Sequence, residues 1–160
     1  MTGVMVVDFD DTMVRTECRT KVTKQDGRLV WLTPAQYAVY VREDGDVMDY
    51  SEFETLRNPR PIKHTLRAMH RAMAAGMVVV VCTARANPQP VWRFLRQHGL
   101  YDVAVAALDS SDPVHKQQAV HSLMQGSTRV TFLDDSPKNV QAVGLLAGMY
   151  NEVKLKSKLA

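Results

Sequence analysis

The chain is poor in cysteine: Cys18 and Cys82 are the only two in 160 residues. Two thiols so far apart exclude a disulfide-built scaffold and a cysteine zinc site. Cys82 closes an apolar run, which predicts a buried core thiol. No stretch approaches the roughly 20 apolar residues of a bilayer-spanning helix. The N-terminal apolar run Val4–Val7 stops at Asp8 and is too short for a cleaved leader. The 8 glycines and 7 prolines are scattered, so neither a flexible linker nor a low-complexity tract is expected. Charge of either sign is not in large excess. A formal net charge of +3 permits an anionic substrate without demanding nucleic acid. What is left is one compact domain over residues 1–160, large enough to bury a core and expected in the cytoplasm.

Four valine-rich runs stand out: Val4–Val7, Met77–Cys82, Val103–Leu108 and Val130–Leu133. They show little polar alternation, which suits strands covered on both faces of a parallel sheet. Helical spacing separates the later runs. Ile62, Leu66, Met69 and Met73 form one apolar stripe between Pro61 and Gly76. Further helices are predicted around Val91–Leu95, over Val114–Met124 and over Pro137–Leu146. The alternation predicts a doubly wound, mostly parallel α/β sheet. Residues 13–59 break the rhythm. Asp26-Gly27 reads as a hairpin turn between Lys21–Gln25 and Arg28–Leu32. Thr33-Pro34 reads as the start of a helix running to about Arg42. Asp44–Phe53 reads as loop with short extended structure. The tail Lys154–Leu159 alternates lysine with apolar residues and is read as a solvated terminus rather than an edge strand.

The chemistry concentrates at strand ends, where open α/β sheets bind ligands. The first run ends in Asp8-Phe9-Asp10-Asp11-Thr12. Mutual repulsion among three carboxylates raises their pKa values unless a cation compensates, and Mg²⁺ is the natural compensation for oxygen ligands. Asp8 and Asp10 point the same way if the chain stays extended. The second run ends in Thr83-Ala84-Arg85, where a hydroxyl and backbone N–H groups suit a phosphoryl oxygen. The last run ends in Asp134-Asp135-Ser136. Lys116, at the start of a helix, is placed to neutralise Asp8 and a bound phosphate.

Asp-x-Asp-x-Thr after one strand, Thr after a second, Lys on a helix and Asp-Asp after a later strand occur in that order between residues 4 and about 140. Together they resemble the haloacid dehalogenase (HAD) superfamily. The resemblance implies a Rossmann-like fold and a Mg²⁺-dependent phosphomonoesterase that works through an aspartyl-phosphate. Asp8 would be nucleophile and metal ligand. Asp10 would be the general acid/base and would bind metal through its backbone carbonyl. Thr83, Ala84 and Lys116 would hold phosphate. Asp134 would ligate metal, and Asp135 would act through water or behind the ligands. Asp at the second motif position favours phosphatases over dehalogenases. Lys138 is a rival to Lys116, which is preferred because it precedes an apolar helix face, as the family's lysine does.

Only residues 13–59 are available to cover the site, so a small hairpin-and-helix cap is expected. The layout from Asn58 to Arg85 is loosely similar to the phosphatase half of polynucleotide kinase-phosphatases. That similarity implies a nucleotide or a nucleic-acid 3′-phosphate end as substrate, with Arg85, Arg67 and Arg71 as candidate contacts. Arg60, Lys63, Arg67 and Arg71 recur at helical spacing, as a phosphate-tracking stripe or simply as a solvated face. Trp31, Tyr37 and Tyr40 are candidates for stacking on a base, or for packing. The competing class is a phospho-accepting receiver module. Its lone acceptor ends a middle strand, whereas no acidic residue ends Met77–Cys82 here. A catalytically idle nucleic-acid-binding protein is the third reading.

Overall fold

The computed structural model describes residues 3–149 and 154–160. In chain order the elements are β1 (Gly3–Val7), β2 (Val14–Arg15), β3 (Thr20–Thr23), β4 (Leu29–Leu32), α1 (Pro34–Val39), β5 (Val47–Asp49), a 3-10 turn (Ser51–Glu54), β6 (Arg60–Pro61), α2 (Lys63–Ala74), β7 (Val78–Thr83), α3 (Gln89–Gln97), β8 (Ala104–Ala107), α4 (Pro113–Met124), β9 (Arg129–Asp134), α5 (Pro137–Gly144) and β10 (Lys154–Leu159).

The central sheet is parallel throughout, in the order β10-β9-β1-β7-β8. Chain order runs outward from β1 through β7 to β8, then returns to the other side of β1 at β9. The strand order therefore reverses between β1 and β9. That is the crevice where open α/β sheets bind ligands.

Successive side chains of a strand face opposite ways, and the valine runs use both faces. Met5, Val7, Val79 and Val81 pack with Leu66 and Met69 of α2 and Val91 and Phe94 of α3. Val4, Val6, Val80, Val130 and Phe132 pack with Val120 and Met124 of α4 and Val143 of α5. Helices on both faces exclude water from the strands, which is why no polar alternation appears in them. The helix starts follow local chemistry. Asp112 accepts from the Val114 N–H ahead of α4, and Ser136 accepts from the Asn139 N–H ahead of α5, each with proline at the first helical position. None of the described helices is long and apolar enough to cross a membrane.

The segment between β1 and α2 leaves and rejoins the body through a two-residue antiparallel ladder of β2 with β6. Beyond it, β4-β3-β5 form a small antiparallel sheet. The predicted hairpin is present, with Thr23 opposite Leu29 and Gly27 at φ 87° in the turn. The stretch read as loop with short extended structure supplies a third strand, β5, paired with β3. The predicted helix ends at Val39 rather than Arg42. Tyr40 turns extended, its hydroxyl donating to Asp46 at 2.6 Å and accepting from Lys24 at 2.9 Å.

The tail is a correction. Lys154–Leu159 is not a solvated end but a parallel edge strand against β9, in register from Lys154↔Arg129 to Leu159↔Asp134. Leu155 packs against the core on the α4/α5 face. Pairing satisfies backbone groups that β9 would otherwise expose along its outer edge.

Candidate active site

Asp8 follows the last residue of β1, and Asp134 is the last residue of β9, so both carboxylates stand at the reversal point. Asp8 is tied across to β9 by its N–H, which donates to the Leu133 carbonyl at 2.9 Å. The Lys116 ammonium sits between the two carboxylates. It donates to Asp8 Oδ1 at 2.6 Å and to Asp134 Oδ2 at 2.7 Å. All three side chains are buried.

Asp134 is locked further. Its Oδ1 accepts from the Ser136 N–H, and its Oδ2 also accepts from Asn139 Nδ2 at 3.0 Å. The Thr12 hydroxyl lies 3.0 Å from Asp8 Oδ2 and 3.3 Å from Asp135 Oδ1. Asn139 was not singled out from sequence. The Ser136 cap places it one turn into α5, where its side chain turns back to the strand end.

The electrostatics follow from this crowding. Burial raises the Asp8 carboxyl well above the ordinary range. Lys116 works against that rise, and the charges of Asp134 and Asp135 add to it. Burial disfavours the Lys116 ammonium, but Asp8 and Asp134 outweigh burial and hold its pKa above the usual value. Asp135 is also raised, chiefly by desolvation. Burial and the charges of Asp135 and Asp10 push Asp11 to about 6.

A cation fits this chemistry. Asp8, Asp134 and Asp135 each present a carboxylate oxygen within 4.8 Å of the others. With all three carboxylates ionised, one ammonium leaves a formal charge of −2 there, which a cation would compensate. Hard oxygen donors with that charge suit a divalent ion such as Mg²⁺. The Asp10 side chain is not in the cluster.

Asp8 and Asp10 line the same cleft but take different partners, and the chain turns directly after Asp10. Asp11 takes a left-handed φ of 60°, and the Met13 N–H closes a turn onto the Phe9 carbonyl. The Asp10 carboxylate then meets Arg85 in a two-pronged pair. Nε donates to Oδ2 at 2.9 Å and Nη2 to Oδ1 at 2.8 Å. Nη1 donates to the Phe53 and Thr55 carbonyls, and Nη2 also approaches Cys18 Sγ at 3.9 Å. A guanidinium has five N–H donors, and these contacts engage all of them. Arg85, a candidate substrate contact by sequence, is instead a buried clamp. It fixes Asp10 and ties the insert to the end of β7.

Thr83 ends β7 and is buried. Its Oγ1 accepts from the Arg85 N–H at 3.2 Å, which leaves its own proton free to donate. Ala84 lines the cleft above the strand ends, as do Lys138 and Asn139. Arg67 and Arg71 do not reach it. They are exposed on α2, which runs away from the strand ends, and Arg71 lies in its last turn. Of the aromatics, Tyr37 and Tyr40 line the cleft. Trp31 stands exposed on β4 with the Arg19 guanidinium 4.8 Å from its ring.

The clamp carries a testable consequence. Lysine is a point charge and cannot reproduce the fork, so Arg85→Lys should lower turnover about tenfold or more while largely preserving the fold. Arg85→Ala should also cost about 3 kcal/mol of stability, because buried carbonyls and one carboxylate lose their donors. Paired kinetic and denaturation measurements on the two variants check this. Unchanged turnover in Arg85→Lys would show that the clamp is merely structural.

No protein-family model matches the chain, and no curated protein matches it. The class it falls in therefore rests on the parallel sheet, its reversal point and the residues gathered there.

Proposed function

We propose that the protein is a Mg²⁺-dependent phosphomonoesterase that forms an aspartyl-phosphate on Asp8. The observation that carries this reading is the Lys116 ammonium bridging Asp8 and Asp134 at the carboxyl ends of two adjacent parallel strands. Asp8, Asp134 and Asp135 would hold the ion, which supplies positive charge to the phosphoryl oxygens.

In the first step a carboxylate oxygen of Asp8 attacks phosphorus, and the bond from phosphorus to the ester oxygen breaks. The Asp10 carboxyl gives its proton to that oxygen, releasing the alcohol. Arg85 occupies one lone pair on each Asp10 oxygen. The remaining pairs can carry the proton, and the clamp fixes where they point. In the second step Asp10 takes a proton from water. The water oxygen bonds to phosphorus, the bond to Asp8 breaks, and inorganic phosphate leaves. The net reaction is ester plus water to alcohol plus phosphate. Lys116, hydrogen-bonded to Asp8, would stabilise charge on the transferring group, whereas Thr83 is fully buried and does not line the cleft.

Phosphate release should therefore require Mg²⁺, vanish in EDTA and fail to recover with Ca²⁺. Calcium takes more oxygens at longer distances and would engage both oxygens of the nucleophile. A colorimetric phosphate assay across a panel of monoesters checks this. Full activity in EDTA would overturn the metal-dependent reading. A single stoichiometric phosphorylation without turnover would favour the receiver reading instead.

A further inference from the structure

The cleft has two lobes. One, of about 330 Å³, holds Asp8, Lys116, Asp134 and Asp135. The other, of about 410 Å³, lies between the insert and the loops after β7 and β8. Asp10, Tyr37, Arg42 and Ala84 belong to both, so Asp10 stands at their junction. A proton donor placed there serves the oxygen that joins a phosphate in the first lobe to an alcohol in the second.

The second lobe differs sharply from the first in chemistry. Three rings line it: Tyr37 from α1, and Tyr50 and Phe53 from the segment around the 3-10 turn. Tyr37 and Tyr50 meet edge to face with their hydroxyls 2.9 Å apart, and Tyr37 also lies 3.3 Å from the Ser111 hydroxyl. Phe53 rests against the Arg85 guanidinium at 5.0 Å. The lobe also carries three carboxylates, Asp10, Glu54 and Asp109, and two guanidiniums, Arg42 and Arg85, the second of them paired with Asp10. Glu54 accepts from Asn87 Nδ2 at 2.9 Å, while Asp109 sits in the loop after β8 at a left-handed φ of 51°. That conformation is uncommon for a residue with a side chain and concentrates at ligand sites.

The rings suit a flat ring compound, and Glu54 and Asp109 supply acceptors for its hydroxyls. A lobe of this size falls at the lower end of small-molecule sites and suits a single nucleoside. Arg67 and Arg71 lie outside it, on α2.

We propose that the second lobe binds the leaving group, and that this group is a nucleoside, making the substrate a nucleoside monophosphate. The proposal rests on the phosphomonoesterase reading and adds to it the class of ester cleaved. The base stacks among Tyr37, Tyr50 and Phe53, and the sugar hydroxyls donate to Asp109.

The test compares kcat/KM for nucleoside monophosphates, glucose 6-phosphate, glycerol phosphate and a 3′-phosphorylated oligonucleotide, all with Mg²⁺. Calorimetry with unphosphorylated adenosine and uridine supplies a readout independent of turnover. Nucleoside monophosphates should exceed glycerol phosphate by about ten- to hundredfold, the span expected from stacking one base. Adenosine or uridine should bind the wild type, and Tyr50→Leu should weaken that binding about tenfold. Equal rates across the monoesters, preference for the sugar phosphate, or a tenfold preference for the oligonucleotide would overturn the assignment of the second lobe while leaving the chemistry at Asp8 standing. Absence of phosphate release from every ester would overturn both readings.

Discussion

Asp8→Asn should reduce phosphate release by about 10⁴-fold or more without unfolding the protein. The amide keeps the shape of the carboxylate but cannot attack phosphorus, and no neighbour can replace it. Asp134 is held by Lys116, Asn139 and the Ser136 N–H, while Asp10 is paired with Arg85. Stability should hold or rise in metal-free buffer. Burial and the charges of Asp134 and Asp135 oppose ionisation of Asp8, and Lys116 only partly offsets them. A neutral amide removes that conflict, while Lys116 keeps Asp134 as its partner. Thermal melts and phosphate assays on the same preparation check both halves. A folded variant that retains a tenth of the wild-type rate would remove Asp8 from the nucleophile's role.

Lys116→Met should be the most damaging single change to the metal-free fold. Methionine fills a similar volume, so lost packing contributes little. What disappears is the only cation hydrogen-bonded to Asp8 and Asp134 among the described residues, at 2.6 and 2.7 Å. Breaking a buried ion pair on one side costs about 3–5 kcal/mol. For a chain of this size that is a fall in Tm of about 10 °C or more. Added Mg²⁺ should restore much of the loss, since a divalent cation can compensate the same carboxylates and any ligand of the native state stabilises it. Turnover should still fall about 10²- to 10³-fold with Mg²⁺ present, because the charge that meets the transferring group is gone. An unchanged Tm in EDTA would mean that Lys116 does not hold the carboxylates together. Recovery of full turnover with Mg²⁺ would confine the lysine to a structural role.

The pairing of Arg85 with the insert bears on both results. Its Nη1 group reaches the carbonyls of Phe53 and Thr55, so the clamp on Asp10 and the wall of the second lobe share one side chain. A change at Phe53 therefore affects Asp10 indirectly, whereas Tyr50 lines the lobe without a direct bond to Arg85. That difference makes Tyr50 the cleaner probe of leaving-group recognition.

The sequence by itself determined the main strands and helices of the body. Valine runs without polar alternation gave both-face-covered strands, and proline after Thr33 marked a helix start. Acidic residues directly after β1 and at the end of β9 located the cleft, because a strand's last residues project where its ladder stops. Lys116 was legible only as the opening of a helical stretch ahead of an apolar face, with Lys138 as its rival. The tertiary structure decided between them by bringing position 116 to Asp8 across 108 residues of chain.

Other features had no local signal at all. Arg85 and Asp10 are 75 residues apart, and their pairing depends on β1 and β7 lying side by side with a turn at Asp11. Spacing along the chain carries no information about which buried guanidinium meets which carboxylate. The tail was misread for a related reason. Alternating lysine and leucine is equally consistent with a solvated end and with an edge strand, and only the exposed ladder of β9 gives Lys154–Leu159 a partner. The second lobe arises from six separate segments, none of them apolar enough to stand out alone. Backbone periodicity is a short-range property and survives in the sequence. Side-chain encounters across a sheet are long-range, and the packing of both helix layers against β1, β7 and β9 fixes them.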